Sequence, residues 1–253
     1  MSTRVTRFAL LAALVAAPGT LGAQDEPAPV GEESRFTLML DGAFDLGSLD
    51  FTDSRSFELF EENARFDARY EVGTGTGAGG GLQFAITPLI GVMASVSITN
   101  RDAEVAFAAS LPHPLFFDQP RAVSGSVSGL SYKEQSIHVS LTLGGSTGKL
   151  DFTGFGGATF FKVEADLVGS IDFDQIYPFD TVTLTGTSRV RAEDSPVGFH
   201  IGGRLDYRFS RHVGLGAQLR YSRAKAELSI PDVTSVEVDA GGAQAAVGIR
   251  FYF

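Results

Sequence analysis

The sequence contains no cysteine and no tryptophan. Without cysteine there are no disulfides and no thiolate ligands, so stability must come from packing and backbone pairing. Histidine is scarce. His113, His138, His200 and His212 are scattered, without the paired spacing of a metal site. Positive charge is short as well: Lys and Arg number 20 against 30 Asp and Glu, for a formal charge of −10. That balance lacks the basic footprint of a nucleic-acid binder. Long apolar runs are missing too. After residue 23 nothing approaches the roughly 20 apolar residues of a membrane helix. A chain of this kind that spans a membrane must do so with closed strands, because lipid cannot satisfy an open sheet edge.

Glycine and phenylalanine are plentiful, at 30 and 21 residues. The first 23 residues stand apart. They hold Arg4 and Arg7, an apolar run over 8–17, and a small-residue end at Leu21, Gly22 and Ala23. This is the layout of a secretory signal cleaved after Ala23. Residues 24–34, with Pro27 and Pro29, read as a flexible lead. Residues 35–253 read as one β-domain.

The last stretch, 241–253, shows the pattern most plainly. Ala245, Val247, Ile249, Phe251 and Phe253 fall on one face, and Ala246, Gly248, Arg250 and Tyr252 on the other. A period of two is a strand. Similar alternation marks 36–46, 92–108, 132–143, 150–167, 199–209 and 213–222. Residues 64–86 fit one long strand or two split by the glycines between 73 and 81. That glycine run lacks the Lys-Ser/Thr ending of a phosphate loop. Within 150–167, Phe161, Val163, Ala165 and Leu167 are assigned outward. Leu150 and Phe152 have the opposite parity, so a bulge is expected near Gly154. Stretches 47–63, 111–130 and 169–195 read as long loops, the last with room for a short hairpin around Val182, Leu184 and Val190. Phe116 and Phe117 are either exposed or packed back onto the rim, and the second is expected. Connections near Pro88, Gly145 and Ser210 are short, and short alternates with long. The expected fold is all-β: an eight-stranded antiparallel up-and-down transmembrane barrel with short periplasmic turns and long outer loops. A soluble sandwich is the alternative, and would place Leu215, Leu219, Val247 and Ile249 in a dry core.

Three features, the signal, the hairpin YRFSRHVGLGAQLRYS at 207–222 and the ending VGIRFYF at 247–253, make the chain resemble the small outer-membrane barrels of Gram-negative bacteria, the OmpA/OmpX/OmpW-like β-barrel domain. The resemblance implies an outer-membrane location and contact with lipid and lipopolysaccharide. It also implies that terminal Phe253 is the assembly signal read by the barrel-insertion machinery. The roles in that superfamily are structural, adhesive, lipid-modifying and transport, so it does not fix a function.

The inward face of such a barrel would hold Asp41, Asp45, Glu134, Lys162, Glu164, Asp166, Arg204, Asp206, Arg208, Arg220 and Arg250. Unpaired charges there are costly, so a lumen-filling ion network is expected. Asp41 or Asp45 should meet Arg250 or Arg220, since first and last strands are neighbours. His138 and Ser140 share a strand face near Glu134, the ingredients of acyl hydrolysis, but they point inward, away from lipid. His200 and Asp206 are too far apart along one strand. No catalytic, cofactor or metal residues are assigned. The expected protein is a monomeric structural or surface-interacting barrel with a side-chain-filled lumen, able to meet an extracellular ligand through its outer loops. The alternative is a small-solute transport barrel, and a lipid-modifying enzyme ranks third.

Overall fold

The computed structural model describes residues 35–229 and 235–253. The signal, the lead and residues 230–234 around Pro231 lie outside the described residues. Strands account for nearly all of the rest: β1 (Phe36–Asp45), β2 (Leu49–Leu59), β3 (Glu62–Val72), β4 (Thr76–Ala85), β5 (Ile90–Leu111), β6 (Arg121–Thr147), β7 (Leu150–Asp174), β8 (Thr183–Asp194), β9 (Val197–Arg208), β10 (Val213–Leu228) and β11 (Val236–Tyr252). No described helix is long and apolar enough to cross a membrane.

The expected eight-stranded barrel is corrected: the closed sheet has eleven antiparallel strands. The extra strands arise because β5, β6 and β7 are longer than their lower partners. β5 pairs with β4 over its first half and with β3 over its second. Similarly, β7 pairs with β9 below and with β8 above. Segment 64–86 is therefore two strands, and 47–63 is mostly β2. A two-residue turn at Phe60 and Glu61, both at positive φ, joins β2 to β3. That is the backbone of a type I′ hairpin turn. The expected long loops at 111–130 and 169–195 are largely strand, leaving tips at 112–120 and 175–182. Closure runs through β1–β11 at one side and β5–β6 at the other.

Two zones divide the sheet. In the lower zone, near the short turns, outward residues are apolar: Leu40, Phe44, Val139, Leu141, Phe199, Ile201, Leu215, Leu219, Val247 and Ile249 are all exposed. Inward residues there are mostly polar, with Met39, Met93 and Phe155 as a small apolar cluster among them. In the upper zone the faces exchange character. Outward positions carry Arg65, Asp67, Arg69, Arg191, Arg223 and Asp239, while inward positions form one apolar cluster. A face that meets lipid must be apolar, and one that meets water need not be.

This exchange explains a second correction. Phe161, Val163 and Leu167 are buried inside, and Lys162, Glu164 and Asp166 face outward. Pairing is continuous through Gly154, so no bulge sits there. The register shifts at Val168/Ile171 instead. Leu219, 61 % exposed, lies in the apolar band. Leu219→Arg should cost about 2–4 kcal/mol in lipid vesicles if it lies near the bilayer midplane. A loss near zero in urea unfolding would place it outside the membrane.

Candidate functional site

The lower interior is a plug of charge. Arg250, fully buried on β11, donates from Nε to Asp206 of β9 (3.0 Å) and from Nη1 to Asp41 of β1 (2.6 Å). Arg204 bonds Asp206 at 2.7 Å and also reaches Gln83. Arg208 pairs with Asp151 and lies over the Tyr252 ring. Higher up, Arg101 bonds Asp45 at 2.8 Å. Gln244 bridges Asp45 and Arg220, and Glu134 accepts the Gly241 N–H at 3.0 Å. Asp41, Asp45, Glu134, Asp151 and Asp206 thus face Arg101, Arg204, Arg208, Arg220 and Arg250 in equal number. Balance of this kind is what allows charges to be buried.

Small residues make room for these side chains. A Cβ on Gly216 would stand 2.1 Å from Asp206 Oδ1, and one on Gly248 would stand 2.6 Å from Asp41 Oδ1. Of the expected interior charges, Asp41 meets Arg250 as anticipated, whereas Asp45 meets Arg101. Sequence reasoning missed Arg101 and Asp151. The inward parity of Ser97 and Thr99 would have found Arg101.

Between the charge tiers lies a hydroxyl–imidazole chain. His138 Nε2 bonds Ser136 (2.9 Å), and its Nδ1 bonds Thr159 (2.9 Å). Thr159 also bonds His200 Nδ1 (2.8 Å), whose Nε2 bonds Ser140 (2.7 Å). Ser140 is therefore partnered by His200, not by His138. Neither ring has a carboxylate to orient it, so the triad geometry is missing. All five side chains are buried in the plug, away from any lipid substrate. Among the described residues no cluster of His, Cys, Asp and Glu is placed to hold a metal. His113 lies in an outer tip and His212 in a short turn, as their sequence positions indicate.

Above the plug the interior is a packed apolar core, with the Asp53–Arg55 pair buried within it. Phe51 stacks on Tyr70 (4.6 Å between centroids) and Phe66 on Phe107 (5.6 Å), with Val105, Leu111, Val163, Leu167, Leu228 and Val238 around them. The Val168 N–H donates to the Tyr70 hydroxyl at 2.9 Å. Burial raises the Tyr70 pKa above its ordinary value.

The wall around this core is not continuously bonded. Upper β10 and upper β11 pair with each other, but β9 leaves β10 at Arg223 and β1 leaves β11 at Gln244. Beyond those points the ribbon borders β8 on one side and β2 on the other. The Glu227 N–H bonds Asp194 across the β8 border at 2.7 Å. At the β2 border there is a gap of about 160 Å³, edged by Gly47, Ser48, Leu49, Tyr221, Asp239 and Gly242, with Arg101 also lining it. Gly241 and Gly242, both at positive φ, mark where β11 turns past it.

The outer end carries an apolar crown. Arg121 ties the two tips together, donating to Pro112 O (2.6 Å), Gln175 Oε1 (2.6 Å) and Phe179 O (2.9 Å). His113 Nδ1 accepts from the Leu115 and Phe116 N–H groups. Leu115, Phe116, Phe117, Ile176 and Tyr177 are left exposed. Phe116 and Phe117 therefore do not pack back onto the rim as expected. Phe117 is 68 % exposed.

Comparison with known proteins agrees with this architecture. A family model described as the outer membrane protein beta-barrel domain matches residues 8–251. No curated protein matches the chain. Among solved structures, the outer membrane protein OprG from Pseudomonas aeruginosa is similar at 12 % identity, covering 87 % of this chain and 96 % of that one, with a TM-score of 0.54. Neisserial surface protein A follows at 14 % identity, covering 86 % and 97 %, with a TM-score of 0.43. Ail of Yersinia pestis follows at 12 %, covering 87 % and 99 %, with a TM-score of 0.38. At such identities the likeness is one of fold. With lipid-facing strands closed around a charged lumen, this protein is an outer-membrane β-barrel, and the chain belongs to the outer membrane protein beta-barrel domain family.

Proposed function

We propose that this barrel passes small apolar solutes from the outside into the outer leaflet. One observation carries the reading: a packed apolar core sits on a charged plug, and the sheet is unbonded beside β2, where a gap of about 160 Å³ reaches it. An apolar solute gains by leaving water for that core. It gains nothing by crossing the plug, where ion pairs would have to be broken. The gap edged by Ser48 and Asp239 offers a sideways exit at the height where Tyr221 meets the charged zone. The exposed crown supplies the first apolar contact for a solute arriving from water.

The test uses the absence of cysteine. Ser48→Cys/Asp239→Cys, joined by a reducible bifunctional thiol reagent, pins the border shut. Uptake of a radiolabelled apolar solute into cells should fall at least about tenfold and return on reduction. In a planar bilayer the unmodified protein should insert without discrete openings. Undiminished uptake in the cross-linked protein would sink the sideways route, and reproducible ion conductance would sink the plug.

A second reading, a structural or surface-interacting barrel, is favoured by the same exposed crown, which also suits contact with an extracellular partner. We also propose that residues 1–23 are a removed export signal, that Phe253 is the signal for the insertion machinery, and that the barrel works as a monomer in contact with lipopolysaccharide.

A further inference from the structure

We propose that the lower wall binds one anionic phospholipid of the periplasmic leaflet, with its tail in a glycine-floored groove and its phosphate on Lys149 and Arg211. The groove, about 620 Å³, opens on the lipid-facing side and is bordered by Leu89, Leu143 and Phe152. Its floor is Gly154 of β7 directly opposite Gly203 of β9. Side chains beside it are exposed and apolar, Phe152 at 52 % and Leu143 at 60 %. The groove is thus continuous with the band that already meets lipid.

The glycines of the floor differ from others in the sheet. A Cβ on Gly157 would stand 2.0 Å from Val139 O, and one on Gly202 would stand 2.4 Å from Leu219 O, so packing demands glycine there. A Cβ on Gly203 would meet nothing within 4 Å, and one on Gly154 only Leu143 O at 3.8 Å. Nothing in the protein requires these two to be bare. Their effect is to leave a hollow in a wall that water does not reach. In a bilayer the material at hand to fill it is an acyl chain, which recovers the lost dispersion contacts.

Two basic residues stand in the short turns next to the groove. Its lining residues Gly145 and Phe152 flank the short turn that holds Lys149. The Arg208 N–H bonds Lys149 O at 2.8 Å, which sets that turn beside the next one, where Arg211 lies. Arg208 itself is engaged inside by Asp151. Lys149 and Arg211 are exposed, and among the described residues neither joins an ion pair, with Phe253's C-terminal carboxylate or any other acid. Two free cations at the headgroup level beside an apolar hollow match one phosphate-bearing lipid. Short turns face the periplasm in this architecture, which names the leaflet.

The refolded full barrel would be equilibrated in mixed micelles with equimolar phosphatidylglycerol and phosphatidylcholine and read by native mass spectrometry. We expect one retained phosphatidylglycerol, favoured about tenfold, since each basic residue near an anionic surface contributes severalfold. Gly154→Leu/Gly203→Leu should fold, judged by heat-modifiable gel mobility, yet lose the lipid. Gly203→Leu alone is the milder version. Lys149→Gln/Arg211→Gln should keep a lipid but lose the preference. Equal retention of the two lipids by the unmodified barrel would overturn the proposal. So would undiminished phosphatidylglycerol retention in the folded leucine variants. Lipid A displacing phosphatidylglycerol in a competition arm would overturn the assignment of leaflet.

Discussion

Arg250→Met should lower the unfolding free energy by about 3–5 kcal/mol. The cause is what it leaves behind. Asp206 keeps Arg204, but Asp41 is reduced to a long contact from Gln218 at 3.5 Å. A carboxylate with no hydrogen-bonded cation inside a membrane barrel bears most of its desolvation cost. The intact network is not itself a large source of stability. Among the described residues Arg250 Nη2 has no hydrogen-bond partner. Forming the pair therefore gains little, while halving it loses much. The double variant Arg250→Met/Asp41→Asn should accordingly be more stable than Arg250→Met alone, because no charge is stranded. Urea unfolding in phospholipid vesicles, followed by far-ultraviolet circular dichroism, measures both. A single variant losing under about 1 kcal/mol, or a double variant worse than the single, would show that the lumen is wet and its charges solvated.

The strands that span lipid were legible because lipid imposes one rule on them. Along Ile137, Val139, Leu141 and Leu143, or Val247, Ile249 and Phe251, apolar means outside, and alternation reveals both the strand and its facing. Above the membrane the rule inverts. Phe161 and Val163 continue the alternation of β7, but they are inside because that part of the wall faces water. Period two gives the pleat and says nothing about which face is wet. Segment 47–63 failed for another reason. Its inward face holds Asp53 and Arg55 as a buried pair, with Arg55 also bonding Val168 O and Gly169 O. Its turn uses Phe60 and Glu61 where Asn-Gly would have been the signal. A strand with a charged inner face and an unmarked turn reads as a loop. Of the candidate site, the plug was visible in outline and the upper apolar core was not. Seeing that core required knowing that β3 and β8 add to the upper halves of longer strands.

Gly248→Val should prevent the barrel from closing. The penalty should exceed the roughly 1–3 kcal/mol of ordinary overpacking. Gly248 sits on β11 opposite Asp41 of β1, in the pairing that joins the two ends of the chain. A Cβ there would stand 1.9 Å from Leu40 O and 2.7 Å from Asp41 Cα. Both are backbone atoms, so no side-chain rotation relieves the clash. β1 would have to move away from β11, taking Asp41 away from Arg250 as well. The heat-modifiable folded band should vanish on gels. Gly203→Val, aimed into open space, is the matched control and should keep that band. Other wall pairs, such as β9–β10, join neighbours in sequence and can re-form locally. The β1–β11 pair closes a loop of nearly the whole described chain, and no local contact substitutes for it. A folded Gly248→Val protein would mean that β1 and β11 lie farther apart than their register requires. Closure would then have to be achieved without the Asp41–Arg250–Asp206 bridge, which reaches from β1 through β11 to β9.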